Sequence, residues 1–265
     1  MWIDTHCHLD AAEFGDESPA VAARALQKQV SWIVIPAVAV DNFQTVSRLA
    51  NSQPNCTYAL GIHPMYVPQA HPTDLVTLRA AVAVAMTDSR FVAIGEIGLD
   101  FFIPELTTAP MREKQEHFYA EQLKIARDFD LPVLLHVRRS QDTLLKYLRR
   151  VGLRGGIAHA FNGSFQQAQA FIDLGFKLGL GGAMTFTRAL QIRRLAATLP
   201  LEVLVLETDA PDIAPSWIHP GRNSPAQLPG IGAVLADLRA MPVADIAHAT
   251  SDNAAQALPR LAVLR

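Results

Sequence analysis

Cysteine is scarce in this chain. Cys7 and Cys56 are the only two in 265 residues, too few for a disulfide framework, and they suit a reducing compartment. A long hydrophobic run is also missing. The longest uncharged apolar-rich stretch, Val30 to Val40, is broken by Ser31 and Pro36 and falls far short of the ~20 residues a spanning helix needs. The start, Met-Trp-Ile-Asp-Thr-His, has neither a basic region nor an apolar one, so no signal peptide is visible. A cytoplasmic protein with no membrane contact is expected. Charge of either sign is not in excess: Lys and Arg total 23 against 25 Asp and Glu, a net charge of −2. That balance argues against a broad basic face gripping nucleic acid, and leaves room for a small cationic pocket. Linkers, low-complexity tracts and charge runs are absent.

What is present is a core. Half of the residues are hydrophobic and 12 are Phe, which excludes a disordered chain. Short runs rich in Val, Ile, Leu and Phe recur at Trp2–Thr5, Ser31–Val38, Thr57–Ile62, Phe91–Glu96, Pro132–His136, Gly156–His159, Phe176–Gly181 and Val203–Glu207. They read as buried parallel strands, and their mean spacing of about 29 residues is one βαβ step. Between them, Ala20–Gln29, Phe43–Ala50, Leu75–Met86, Met111–Phe129, Gln141–Arg150, Phe165–Leu174 and Arg188–Thr198 carry helical patterning. Ser164 is placed to cap one helix and Thr73 or Asp74 another. The pattern predicts one domain over residues 1–265, an α/β fold closed as a (β/α)8 TIM barrel.

A barrel of this type places its active site at the C-terminal ends of the strands. His6, His8, His136 and His159 fall at such ends, as do Glu96 after FVAIG and Asp209 after VLVLET. His6 and His8 are two apart on an extended segment and point to the same side, with Cys7 turned away. Imidazole and carboxylate together suit Zn, Mn or Fe, or Mg where His are fewer. Six ligands exceed the need of one tetrahedral ion, so two ions are implied, with the two oxygens of Glu96 as the natural bridge. Asp209 is placed both to bind one ion and to accept a proton from a water. Two-metal sites of this kind hold their ions about 3.5–4 Å apart around the reacting oxygens.

Seven segments then point to a family: DTHCHLD (4–10), GIHP (61–64), GEIGLDFF (95–102), LPVLLHVR (131–138), HAFNGS (159–164), LETDAP (206–211) and RNSP (222–225). Across nearly the whole length and in the same order, the chain resembles the TatD family of metal-dependent deoxyribonucleases, most closely its YjjV-like branch. The resemblance implies a TIM barrel of the metallo-dependent hydrolase type. It also implies that His6, His8, Glu96 and Asp209 hold one divalent ion and that Glu96, His136 and His159 hold a second (Zn, Mg or Mn), with a third ion allowed. Asp209 and Glu96 become the catalytic residues. His63, Arg138, Arg222 and Asn223 fall where the family meets a phosphate, and a guanidinium fork suits phosphate oxygens. The bland alternative for Arg138 is a pairing with a rim carboxylate. One departure stands out: many members read GKRNEP where this chain has GRNSP, so Ser224 replaces a glutamate and the local pocket differs. The following PAQLPGI reads as a loop packing back under the rim.

The remaining conspicuous residues have plainer readings. His71, His117, His219 and His248 are expected to be solvated. Phe101 and Phe102 are read as packing beneath a loop, with base stacking as the alternative, and Trp217 is a candidate for the pocket mouth. The glycines of GLGG (179–182) allow close packing at the end of the seventh strand. The expected activity is hydrolysis of a phosphodiester in DNA ends or short single strands, by a monomer. An amide, lactone or phosphotriester hydrolase on the same scaffold is the first rival, and a non-catalytic metal-binding scaffold the second.

Overall fold

The computed structural model describes residues 1–264. Eight parallel strands follow one another in sequence order around a barrel: β1 (Trp2–Asp4), β2 (Val30–Pro36), β3 (Cys56–Leu60), β4 (Phe91–Asp100), β5 (Val133–Arg138), β6 (Gly156–Ala158), β7 (Phe176–Leu180) and β8 (Leu204–Leu206). The seam between the last strand and the first is closed by the Thr5 amide donating to the Leu206 carbonyl at 3.1 Å. Every residue of β4 is buried, as a strand covered on both faces requires. Helices α1 (Ser18–Gln27), α2 (Phe43–Ser52), α3 (Pro72–Ala85), α4 (Ala109–Asp128), α5 (Gln141–Val151), α6 (Phe165–Asp173) and α7 (Leu190–Thr198) fill the crossovers. The chain ends in α8 (Leu228–Arg239), α9 (Val243–Ala257) and α10 (Pro259–Ala262).

Sequence patterning accounts for most of these elements. In α5, Leu144, Leu145 and Leu148 form the buried stripe. Ser164 caps α6 as expected: its hydroxyl accepts from the Gln167 amide at 3.1 Å while Gln167 Oε1 accepts from the Ser164 amide at 3.0 Å. Other boundaries move. Helix α3 starts earlier, at Pro72, because Asp74 acts from inside the first turn and accepts from the His71 amide at 2.8 Å. Strand β4 runs four residues past the expected end, since Gly98, Leu99 and Asp100 pair with His136, Val137 and Arg138. Gly98 permits this: its φ is +149°, and a Cβ there would lie 2.2 Å from the His136 carbonyl. The PAQLPGI segment is not a loop but a short 3-10 turn, Pro225–Gln227, leading into α8. Its proline falls in the first helical turn, where a missing N–H costs nothing.

The barrel interior is lined by Ile3, Val34, Ala59, Val92, Leu134, Ile157 and Val205, against which Ala254, Leu258 and Leu261 of the C-terminal helices pack. Arg260 donates to the carbonyls of Met86, Asp88 and Phe91, and Asn253 to those of Leu201 and Leu204. These contacts sit at the N-terminal ends of β4 and β8, so α9 and α10 plug the end of the barrel opposite the candidate site.

Candidate metal centre

The rim at the C-terminal ends of the strands gathers the six expected ligands. His6 and His8 follow β1, Glu96 lies on β4, His136 on β5, His159 follows β6 and Asp209 follows β8. The ends of β1 and β8 are tied side by side by the Asp209 amide on the His6 carbonyl and the His8 amide on the Ala210 carbonyl, both at 2.8 Å. Arg139, Ala160 and Asp209 all have positive φ. The chain therefore turns sharply just past His136 and His159, and at Asp209 itself. Such conformations cluster at sites that must hold a side chain in place.

The donor atoms converge. His6 Nε2 lies 3.0 Å from Glu96 Oε2, 3.3 Å from His8 Nε2 and 3.7 Å from Asp209 Oδ1. His8 Nε2 is 3.3 Å from Glu96 Oε2 and 3.7 Å from Asp209 Oδ1, and His159 Nε2 is 3.7 Å from the same Asp209 oxygen. On the other side of Glu96, Oε1 is 2.9 Å from His136 Nδ1 and 3.3 Å from His63 Nε2. Ligand atoms bound to one ion at 2.0–2.1 Å in a tetrahedron would lie about 3.4 Å apart, so these spacings are those of ligands arranged around a cation. The donor set, imidazoles and carboxylates with one carboxylate shared, fits divalent metal. The grouping departs in one detail from the expected division. His159 stacks on His6, with centroids 3.7 Å apart, and joins the His6 side, while His136 groups with Glu96 and His63.

Three carboxylates that the sequence reading did not single out hold this cluster from behind. Asp100, fully buried, lies 3.0 Å from His136 Nε2 and accepts from the Phe102 and Ile103 amides. Taking the Nε2 proton leaves His136 Nδ1 as the open lone pair. Glu207 Oε1 lies 2.9 Å from His159 Nδ1, off the line of an ideal hydrogen bond, and accepts from the Ala160 amide at 2.6 Å. Asp4 accepts from the Thr208 amide at 2.9 Å and meets the Thr208 hydroxyl at 2.6 Å, joining the segments that carry His6 and Asp209. Each shares the side-chain parity of a ligand: Asp4 with His6, Asp100 with Glu96, Glu207 with Asp209. That parity was the available signal. The GLGG segment is close-packed as expected, for a Cβ at Gly179 would lie 2.2 Å from Glu207 Oε2.

Burial and charge compete across the cluster. Burial disfavours the protonated His8 imidazole, but the hydrogen bond to Glu96 and the charges of Glu96 and Asp209 outweigh it and raise its pKa to about 9. The same contest raises His159 to about 10, with Glu207 the main opposing charge. Burial pushes Glu96 up, yet the surrounding imidazoles, His63 and His6 first, hold it well below the usual carboxylate range. For His63 burial prevails over Glu96 and pushes it down to about 4. This ring is therefore neutral near pH 7. Its Nδ1 accepts from the Met65 amide at 3.1 Å, which puts the proton on Nε2 and makes that nitrogen a donor into the site. Burial raises Asp4 to about 8 despite its hydrogen bonds from Thr208.

The other expected phosphate contacts separate. Arg138 stands exposed at the rim, its guanidinium 4.0 Å from the centroid of the Phe102 ring and 3.8 Å from Asp100. Arg139 covers the same ring at 4.6 Å, so Phe102 is exposed between two cations while Phe101 is buried. Arg222 is turned to α1, bonded to Glu17 at 2.7 Å and to the Glu13 carbonyl. Asn223 is buried, its amide nitrogen committed to the Thr208 and Asp212 carbonyls at 2.8 and 2.9 Å and its oxygen to the Ser224 amide. Neither side chain is free to meet a phosphate as the resemblance implied. Both hold the loop after β8. Trp217 is half exposed and bonded through Nε1 to Gln227. His71, His117, His219 and His248 are exposed, as expected.

A parallel (β/α)8 barrel with histidines and carboxylates gathered at this rim defines a metal-dependent hydrolase. The chain belongs to the TatD-related DNase family, whose model matches residues 3–259. The uncharacterized metal-dependent hydrolase YjjV of Escherichia coli K12 is 41% identical over 253 residues, 95% of each chain. The crystal structure of that TatD homologue has a TM-score of 0.91 at 40% identity, covering 97% of this chain and 98% of that one. The 3′-5′ ssDNA/RNA exonuclease TatD of Salmonella typhimurium is 32% identical over 236 residues, 86% of this chain and 88% of that one. Among the described residues, no helix is long and apolar enough to cross a membrane.

Proposed function

We propose that this hydrolase cleaves phosphodiester bonds at the ends of DNA or in short single strands. The observation that carries the reading is the convergence of six ligands beside a buried imidazole donor and an exposed arginine. His6, His8, Glu96, His159 and Asp209 would hold one divalent ion, and Glu96 with His136 a second. Such ions supply a water of lowered pKa and positive charge for phosphoryl oxygens. The chain's own groups do the rest. Asp209, partly open to solvent, orients the attacking water and takes its proton. His63 Nε2–H donates to a non-bridging phosphate oxygen as charge builds there, and Arg138, steadied on Phe102, takes a neighbouring phosphate. The new P–O bond forms opposite the one that breaks, and the leaving oxygen takes up the proton that Asp209 received, directly or through solvent, and departs as an alcohol. The relative from Salmonella, named for single-stranded DNA and RNA, supports a nucleic-acid substrate.

The test is metal-reconstituted cleavage of a single-stranded DNA oligonucleotide labelled at either end, beside Asp209→Asn and His6→Ala. Stepwise loss from one end with Mg, Mn or Zn, reduced in Asp209→Asn by about 10²–10⁴-fold, is the expected result. No cleavage with any metal, while small phosphodiesters or amides are hydrolysed, would replace the substrate class and keep the site.

A further inference from the structure

Next to the metal centre, between the loops that follow β7 and β8, lies a cavity of about 620 Å³. Its walls carry Phe186 and Arg188 from the first loop, and Pro211, Asp212, Ile213 and His219 from the second. Pro211 and Asp212 come directly after the Asp209 segment, and the Asp212 amide donates to the Asp209 carbonyl at 2.9 Å. That end of the cavity therefore opens beside the centre. The volume lies within the range of sites that enclose small organic ligands. The walls are fixed relative to each other: the Ser216 amide donates to Thr185 Oγ1 at 2.8 Å and the Ser216 hydroxyl to the Thr185 carbonyl at 3.3 Å.

The lining has the chemistry of a nucleotide. Phe186 and His219 meet edge to face with centroids 5.5 Å apart, forming an aromatic corner, and Pro211 and Ile213 add apolar surface. Arg188 lies 5.7 Å from the Phe186 ring and, among the described residues, has no carboxylate within ion-pair distance. A cation with no carboxylate partner, beside the half-buried Phe186 ring and the exposed His219 ring and next to the metal centre, matches a planar base joined to a phosphate. We propose that this cavity holds the nucleoside adjacent to the scissile bond, its base packed on Phe186 and His219 and its outer phosphate at Arg188. The proposal rests on the nucleic-acid reading of the metal centre and identifies where that substrate is gripped. It also gives the chain a contact that does not depend on Arg222 or Asn223.

The test has two arms, with wild type, Phe186→Ala and Arg188→Glu. In the first, calorimetry on metal-free protein measures binding of thymidine 5′-monophosphate, thymidine and inorganic phosphate. The expected result is nucleotide binding that exceeds either fragment alone and weakens about tenfold in each variant. In the second, the metal-loaded proteins are given a tetrathymidylate oligonucleotide and bis(p-nitrophenyl) phosphate. KM for the oligonucleotide should rise about tenfold, well beyond any change in KM for the small ester. Nucleotide binding that is absent, untouched in both variants or no stronger than that of inorganic phosphate would overturn the cavity's role. Oligonucleotide cleavage with unaltered KM would also overturn it, while leaving the nuclease reading intact. Hydrolysis of the small ester alone, with nucleotide binding still dependent on Phe186 and Arg188, would keep the cavity and overturn DNA as substrate.

Discussion

Asp100 and Glu207 never need to touch a substrate to matter: Asp100 sits 3.0 Å from His136 Nε2 and so sets which nitrogen faces the centre, while Glu207 places its charge 2.9 Å from His159 Nδ1. Asp100→Asn or Glu207→Gln should weaken metal binding about 10–100-fold, read by titration against a chelator, with activity recovered at excess metal. Gly179→Ala should act like Glu207→Gln, since its Cβ meets that carboxylate at 2.2 Å. Unchanged affinity in all three would remove these carboxylates from the account. Protons compete for the same nitrogens. With His8 raised to about 9 and His159 to about 10, both are charged near pH 7 in metal-free protein and must lose a proton to bind metal. Metal affinity should therefore climb with pH between 6 and 9. In the metal-free protein the sign reverses. The folded pKa values exceed the unfolded ~6.5, so their stabilisation is complete below that and is lost as pH rises through 9 and 10. Melting temperatures with chelator should fall from pH 7 to 10 while metal-loaded protein holds. Parallel curves would contradict this. The ligands themselves were legible because polar residues at the ends of apolar strands are conspicuous. The roles of Asp4, Asp100 and Glu207, and the diversion of Arg222 to Glu17, were not, since they depend on which strands become neighbours.

At the scale of elements, the strands were read to within two residues at each end, the end of β4 apart, because buried strands stand out as apolar runs. Helices α8 to α10 went unread for the opposite reason. The α9 sequence VADIAHATSDNAAQA carries few large apolar residues, Ile246 apart, and most of its contacts are made by alanines and Asn253. Small side chains fit where a helix sits tightly across the end of a barrel, and they leave a weak periodic signal. The consequence can be measured. Leu258 is wholly buried against the barrel interior, so Leu258→Ala should cost about 2–5 kcal/mol of stability, seen as a lower denaturation midpoint. Because this plug lies at the end opposite the metal centre, kcat per folded molecule should stay within about twofold of wild type, a change in ΔG‡ well under 1 kcal/mol. A large fall in kcat with unchanged stability would mean that α10 communicates with the site rather than closing the barrel.

The proposed substrate is a polyanion and the protein has a net charge of −2, which confines attraction to a few places. Arg138 and Arg139 stand at one side of the rim, and Arg188 stands at the cavity between the β7 and β8 loops. A strand laid from one to the other has Arg138, Arg139 and Arg188 as its phosphate partners in this reading. Electrostatic grip therefore comes from the centre and these few cations, and the long-range field of the protein adds little. For single strands the logarithm of affinity falls with that of salt at a slope of about −0.7 per phosphate neutralised, so two or three contacts predict a slope between about −1.4 and −2.1. The measurement is binding of a fluorescent short oligonucleotide to Asp209→Asn between 50 and 200 mM salt, concentrations over which broad basic faces lose affinity by orders of magnitude. A slope steeper than about −5 would require roughly seven phosphate contacts. Arg138, Arg139 and Arg188 cannot supply that many, so that outcome would place the substrate on a face other than this rim. A slope in the expected range that is shallower by about 0.7 in Arg188→Glu would instead assign one phosphate to the cavity, a conclusion independent of any rate.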